Sequence, residues 1–248
     1  MGRAAHDQVG LTGCTAVLFE QWCDASVGVG GGLPGTYNVG ALMNAWQGVG
    51  YDAIFLAGGS LYGLDAATRV RQFVEEKLRP ETTKRSGDPL SLPRGIVAGA
   101  MLFDLQVDSY SARPDAVMGY AAAANASRDP VTQGNVGAGC GATVGKFLGL
   151  KQAMKGGVGS ICLTASPGFR VGALVAVNAL GNVYDLERGH PVAGARHPTG
   201  AGFLEFAEVI KKGMPVVAQP GQHTTLGVII TRCHPRPSVV DQNGPGWA

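Results

Sequence analysis

Residues 134–146 read GNVGAGCGATVGK and form the most glycine-dense segment of this chain. The spacing of Gly137, Gly139 and Ala142 matches a dinucleotide-binding fingerprint, which also needs an acidic residue about 20 positions later to bind the ribose. No acidic residue follows this segment before Asp185. The fingerprint is therefore rejected, and the glycines are interpreted as positions where backbones pack closely.

The end of the same segment resembles a phosphate-binding loop at Gly145 and Lys146. That motif needs an earlier glycine, where this chain has Cys140, and a Ser or Thr after the lysine, where it has Phe147. Both departures remove groups that would contact phosphate or its metal ion. A nucleotide-binding module is excluded on these grounds.

Short apolar runs bounded by glycines surround this segment and indicate buried strands. The predicted strands are 15–19, 53–57, 95–105, 171–180 and 224–231. Apolar residues at helical spacing predict helices over 64–78, 118–126 and 203–211, and residues 80–93 are predicted to be a polar loop. We expect a single mixed α/β domain over residues 1–248, with helices covering buried sheets.

Composition excludes several classes of protein. Only 15% of the 248 residues are charged and the net charge is +2, which argues against disorder and against a nucleic-acid partner. No apolar run is long enough to span a membrane. The five cysteines lack zinc-ligand spacing, so we expect reduced thiols in a cytoplasmic protein and no bound metal.

Two polar features carry alternative interpretations. Asn178 lies in an apolar strand, where it is either a hydrogen-bonded core residue or an oxyanion donor held rigidly on the strand. The pair Thr224 and Thr225 is either ordinary strand composition or, if the chain is cut before Thr224, a nucleophile with its own base. The new α-amino group, with a pKa of about 8, could accept the hydroxyl proton at neutral pH.

Seven blocks, in order along the chain, resemble the DmpA-type L-aminopeptidase/D-esterases and the related nylon-oligomer (6-aminohexanoate oligomer) hydrolases. They are TGCTAV (12–17), GGGLPGT (30–36), LAGGSLYGL (56–64), residues 134–146, KGGVGS (155–160), residues 171–182 and HTTLGV (223–228). The resemblance implies an αββα sandwich that cuts itself before a Ser or Thr nucleophile. Members of this family hydrolyse amide bonds and are typically oligomeric.

The resemblance also implies a set of site residues. Thr224 matches the nucleophile, so the cut is predicted between His223 and Thr224. Asn178 lies in the block that supplies the active-site asparagine, and Lys146 matches a lysine that would favour the deprotonated hydroxyl. The resemblance implies no cofactor and no metal, a small amide or peptide substrate, and a homo-oligomer, without nucleic acid or membrane as partners.

The chain departs from the family in two places. The residue before the cut is usually Asn in the nylon-hydrolase branch, and here it is His223. Relatives carry an Asp-x-Asp pair on a later strand to orient the threonine, but only residues 225–248 follow Thr224, and Asp241 is their single acid. We therefore expect impaired catalysis, and the alternative is a non-catalytic, unprocessed remnant or assembly partner.

The resemblance divides residues 1–231 into two parts and leaves a tail as the third. Residues 1–223 correspond to the α-chain, and residues 224–231 begin the β-chain. Residues 232–248 have no periodicity. A one-base shift of plausible codons turns this tail into a family-like continuation, so we interpret it as a frameshifted, truncated end. The open strand 224–231 would then be prone to misassembly.

Overall fold

The computed structural model describes residues 3–43, 50–80, 95–166, 169–200 and 202–232. The strands are β1 (Arg3–Val9), β2 (Thr12–Cys23), β3 (Thr36–Tyr37), β4 (Tyr51–Ala57), β5 (Val97–Met101), β6 (Thr143–Val144), β7 (Met154–Lys155), β8 (Gly157–Ser166), β9 (Phe169–Asn178), β10 (Val183–Asp185), β11 (His190–Ala193) and β12 (Thr224–Arg232). The α-helices are α1 (Gly40–Met43), α2 (Ala66–Phe73), α3 (Ala116–Ala124) and α4 (Phe206–Lys211).

Two sheets form the centre of the molecule. The larger sheet has the strand order β1-β2-β4-β5-β3, in which β4 and β5 are parallel and the other pairs are antiparallel. The smaller sheet is antiparallel, with the order β12-β9-β8. A shared apolar core contains Leu56 of β4 together with Leu174 of β9 and Leu226 of β12, so the two sheets pack face to face.

Helices α2 and α3 cover the other face of the larger sheet. Val70 of α2 and Ala122 of α3 are fully buried against Phe55 of β4. The described residues thus form three layers, helix, sheet and sheet, of the four that the family resemblance implies. The mixed α/β class is confirmed, and the complete αββα sandwich stays a prediction.

The predicted helix over residues 64–78 is wrong in part. A 3₁₀ segment, Ser60–Asp65, precedes α2, and a π-turn, Val74–Leu78, follows it. A single apolar periodicity cannot separate these three helix types, because each places its side chains at similar spacing. In the widened last turn, Arg79 N donates to Val74 O, while the Arg79 side chain forms a buried ion pair with Asp52 at 2.9 Å.

The predicted strand over 95–105 is shorter in the structure. Its ladder with β4 ends where Ala57 pairs with Met101, because β4 itself ends at Ala57. Leu102 N still donates to Ala57 O at 2.8 Å, but no further ladder pair follows among the described residues. Most of the predicted loop over 80–93 lies outside the described residues, as does the tail from residue 233. Strand β8 was not predicted, because its outward positions are apolar rather than polar.

Candidate active site

Asn178 ends strand β9, and its side chain is completely buried. Its Oδ1 accepts hydrogen bonds from Lys146 Nζ at 2.7 Å and from Thr143 N at 3.0 Å. Its Nδ2 donates to Phe103 O at 2.9 Å and to Gln222 O at 3.2 Å. All four hydrogen-bonding positions of the amide are occupied, which fixes both its place and its orientation.

Lys146 reaches the same point from the glycine-dense segment. Gly145, in the left-handed region at φ 69°, turns the chain so that Lys146 N donates to Leu180 O at 2.7 Å, just beyond β9. The ammonium group then donates to Asn178 O at 3.1 Å, to Asn178 Oδ1 at 2.7 Å and to Gln222 O at 3.1 Å. Burial lowers the pKa of Lys146 to about 8.

Thr224 begins β12 directly opposite Asn178 in the antiparallel ladder. Paired residues in such a ladder place their side chains on the same face of the sheet. The alternation along β12 agrees, because Leu226 and Val228 are buried in the core while Thr225 and Ile229 are exposed. Thr224 therefore shares the inner face with Asn178, whereas Thr225 points outward.

The carbonyl oxygen of Gln222 is the point where these groups meet. It accepts hydrogen bonds from both Lys146 Nζ and Asn178 Nδ2, two donors that come from different parts of the chain. Gln222 precedes Thr224 by two residues, so the held peptide unit is next to the His223–Thr224 bond. Two converging donors on one carbonyl form the arrangement that stabilises negative charge on oxygen.

His223 lies in a cavity of about 140 Å³ beside this carbonyl. The cavity is also lined by Lys146, Asp104 and Gln222. Neither ring nitrogen of His223 has a hydrogen-bond partner among the described residues. Burial, and then the nearby charge of Lys146, lower the pKa of His223, so the neutral ring is the favoured form here.

The structure brings the predicted site residues Lys146, Asn178, His223 and Thr224 together, and the roles assigned to them stay predictions. Thr143, Gln222 and Asp104 were not predicted from the sequence. Asp104 is a buried carboxylate that lines the same cavity. Its only local signal is an acid at the end of an apolar run. Its contacts lie far away in the sequence, where no local pattern could reveal them.

The close-packing interpretation of the glycines is confirmed. A Cβ on Gly145 would lie 2.0 Å from Ala195 N, and one on Gly156 would lie 2.1 Å from Val177 O. The first contact packs the Lys146 segment against the chain that follows β11, and the second packs the chain before β8 against β9. Close approach of backbones explains the glycine density without any ligand.

Other sites are less informative. Within the described ranges, no three His, Cys, Asp or Glu side chains are grouped so that they could hold a metal ion. A larger cavity of about 480 Å³, lined by Tyr37, Arg71 and Glu75 among others, involves none of the predicted site residues. Among the helices that the structure describes, none has the length and apolar character needed to cross a membrane.

The sequence profile of peptidase family S58 matches residues 2–234. This chain belongs to peptidase family S58. The resemblance to the DmpA-type enzymes is thereby confirmed. An uncharacterized aminopeptidase of Mycobacterium tuberculosis is 41% identical over 179 residues, covering 72% of this chain and 48% of the relative. A 6-aminohexanoate-oligomer endohydrolase of Kocuria sp. is 28% identical over 249 residues, which cover 96% of this chain and 63% of the relative.

Solved structures show the same fold at low sequence identity. A Burkholderia sp. beta-aminopeptidase superposes with a TM-score of 0.57 at 20% identity, covering 93% of this chain and 59% of that one. An L-aminopeptidase D-Ala-esterase/amidase of Ochrobactrum anthropi, described as a variant of the Ntn hydrolase fold, superposes with a TM-score of 0.50 at 19% identity. The match covers 71% of this chain and 51% of that one. This chain thus spans roughly half to two thirds of the length of its S58 relatives.

Proposed function

We propose that this S58 chain is a self-processing amide hydrolase with Thr224 as its nucleophile. One observation carries the proposal: Lys146 Nζ and Asn178 Nδ2 converge at 3.1 and 3.2 Å on the carbonyl oxygen of Gln222, immediately upstream of the predicted cut. A polar site of this kind is costly to bury unless every group is paired. Family membership supplies the reaction class, and the donors supply a means of stabilising an oxyanion.

In the first step, the chain would cut itself. Thr224 Oγ1 adds to the carbonyl carbon of His223, the C–N bond breaks, and the hydroxyl proton passes to the departing nitrogen of Thr224. Water then hydrolyses the resulting ester, giving a carboxylate on His223 and restoring the Thr224 hydroxyl. The hydrogen bonds from Lys146 and Asn178 to Gln222 O immobilise the neighbouring peptide unit, which keeps the reacting atoms close together.

In the second step, the matured site would act on a small amide or peptide. Once residues 222 and 223 withdraw, Lys146 and Asn178 are free to donate to the carbonyl of a substrate. The α-amino group of Thr224 accepts the hydroxyl proton as Oγ1 attacks, and returns it to the leaving amine. Water then releases the acyl group from the threonine ester.

Amide hydrolysis by variants of the purified chain tests this proposal. Thr224→Ala removes the hydroxyl and should abolish hydrolysis of small amide substrates, while Thr224→Ser should retain part of it. Thr225→Ala is the matched control, since it changes an adjacent threonine that points outward. Turnover by the Thr224→Ala chain at the wild-type rate would remove Thr224 from the mechanism.

Four finer expectations accompany this proposal. The impaired catalysis expected from the missing Asp-x-Asp pair stays a prediction, because Asp241, the single acid after Thr224, lies outside the described residues. The alternative of an unprocessed remnant also stays a prediction. The homo-oligomer is also a prediction. It is supported by the outer face of the smaller sheet, where Ile161, Leu163 and Ile229 are exposed. Cys23, Cys140 and Cys162 are free thiols, in keeping with the predicted cytoplasmic location.

A further inference from the structure

Asp104 is one of only two carboxylates that are buried among the described residues. The other, Asp52, is paired with the buried guanidinium of Arg79 at 2.9 Å. Within the described ranges no guanidinium pairs with Asp104, which lies instead at the cavity that Lys146 and His223 share. A charge buried at this depth requires compensation by hydrogen bonds or by an opposite charge.

The surroundings of Asp104 are built to hold an ionised carboxylate. Thr12 Oγ1 donates to Oδ2 at 2.7 Å, and Gly59 N donates to Oδ1 at 2.7 Å. Burial raises the pKa of Asp104, and the two hydrogen bonds to its oxygens oppose that rise and favour the charged form. Two glycines leave room for the group, since a Cβ on Gly58 or Gly141 would lie 2.2 or 2.4 Å from Oδ2.

The charged groups around this carboxylate are cations. Lys146 lines the same cavity, and the charge of Lys155, which donates to the carbonyl of Cys140, also favours the ionised carboxylate. His223 lines the same cavity, but burial keeps its pKa low and its ring uncharged. The thiol of Cys140, whose pKa is raised by burial, is likewise neutral. Lys146 and Lys155 are thus the cations that Asp104 balances.

We propose that Asp104 is a positioning residue for the proposed reaction: its carboxylate holds Lys146 as an ammonium directed at the Gln222 carbonyl. This inference rests on the proposed function for its catalytic meaning. Three donors are needed to bind Asn178 O, Asn178 Oδ1 and Gln222 O at once, and only the protonated amine has three. The charge of Asp104 opposes the effect of burial on the pKa of Lys146, and so favours that form.

A purely structural role makes a different prediction. Asp104 also ties the turn at Gly59 to strand β2 through Thr12, and any damage to that tie would disturb the site. Thr12→Val removes the hydrogen bond but leaves the charge in place. Asp104→Asn removes the charge and keeps the size. Comparing the two variants therefore separates the effect of the Asp104 charge from the structural effect of its hydrogen bond with Thr12.

The test is an NMR titration of Lys146 in the full chain labelled with ¹³C at lysine Cε, with the signal assigned by its loss in Lys146→Met. In Asp104→Asn, the midpoint should move to lower pH by about one unit relative to the wild type. In Thr12→Val, it should stay at the wild-type value. An unchanged midpoint in Asp104→Asn, or an equal shift in both variants, overturns the proposal.

A second measurement uses the wild-type chain, so it decides the proposal even if Asp104→Asn does not fold. It also distinguishes failure of this inference from failure of the proposed function. In the wild-type chain, the Lys146 signal should show a smaller second step at acid pH as Asp104 gains its proton; a single step overturns the proposal. If the chain also cuts itself, the alkaline limb of the rate profile should shift in Asp104→Asn by the same amount as the NMR midpoint. If no cutting occurs, the titration still decides the role of Asp104.

Discussion

The side-chain amide of Asn178 uses its whole hydrogen-bonding capacity, and this makes its two interpretations compatible. It is a satisfied core residue, because Thr143 N and Lys146 Nζ bind its oxygen. It is also a poised donor, because its Nδ2 points at the Gln222 carbonyl. Rigidity from the first role is what an oxyanion donor needs, since a fixed dipole requires no reorganisation during the reaction.

Asn178→Ala should slow hydrolysis of small amide substrates by about 10²–10³-fold, the usual loss for one oxyanion donor. It should also lower the free energy of unfolding by about 1–3 kcal/mol, because the buried donors of Lys146 and Thr143 lose their acceptor. The rate is measured by release of amine from the substrate, and the stability by urea denaturation.

Asn182→Ala is the matched control for this prediction. Asn182 also bridges backbone groups, with Nδ2 on Leu204 O at 2.8 Å and Oδ1 on Ala195 N at 3.1 Å, but it does not contact Gln222. It should lose stability while keeping a near wild-type rate of amide hydrolysis. Equal slowing in both variants would reduce Asn178 to a structural asparagine.

At the scale of the element, the turn at Gly145 positions Lys146 so that its ammonium group contacts Asn178 at the end of strand β9. Gly145 combines a positive φ of 69° with a position where a Cβ would meet Ala195 N at 2.0 Å. Gly145→Ala should therefore lower the melting temperature by several degrees, because strain of about 1–3 kcal/mol is added to a backbone clash. Calorimetry measures the shift.

Gly189→Ala separates the effect of backbone strain from that of the clash. Gly189 has a similar positive φ, 67°, but no atom lies within 4 Å of a Cβ built there. It should show only the smaller loss that comes from backbone conformation. If the two alanine variants melt at the same temperature, close packing is not what requires glycine at position 145.

The sequence could predict those elements and residues whose signal is local. Strand β12 follows from its β-branched run, and Lys146, Asn178 and Thr224 follow from blocks that each resemble a known family. Asp104 could not be found in this way, because its partners Thr12 and Gly59 are 92 and 45 residues distant. Gln222 contributes only a backbone carbonyl, and every residue has one.

At the scale of the whole molecule, the outer face of the smaller sheet is apolar. Ile161 of β8 and Ile229 of β12 flank Ala173 of β9, and Ile229 is 73% exposed. Strand β12 is also at the edge of this sheet among the described residues. An apolar face beside a strand edge favours self-association.

Ile229→Lys should reduce association of the chain with itself, because a charge on this face is costly to desolvate. Light scattering over a range of protein concentrations measures the effect. Thr231→Lys is the control, since it adds the same charge on the same outward side at a polar position. Unchanged association in Ile229→Lys, with the fold intact, would show that this face does not mediate the contact.

The proposed function depends on cutting of the chain before Thr224, which intact-mass spectrometry of the purified wild-type protein measures without any variant or substrate. We predict two polypeptides whose masses place the boundary between His223 and Thr224. A single species near 25.5 kDa, or a boundary at any other bond, would contradict it.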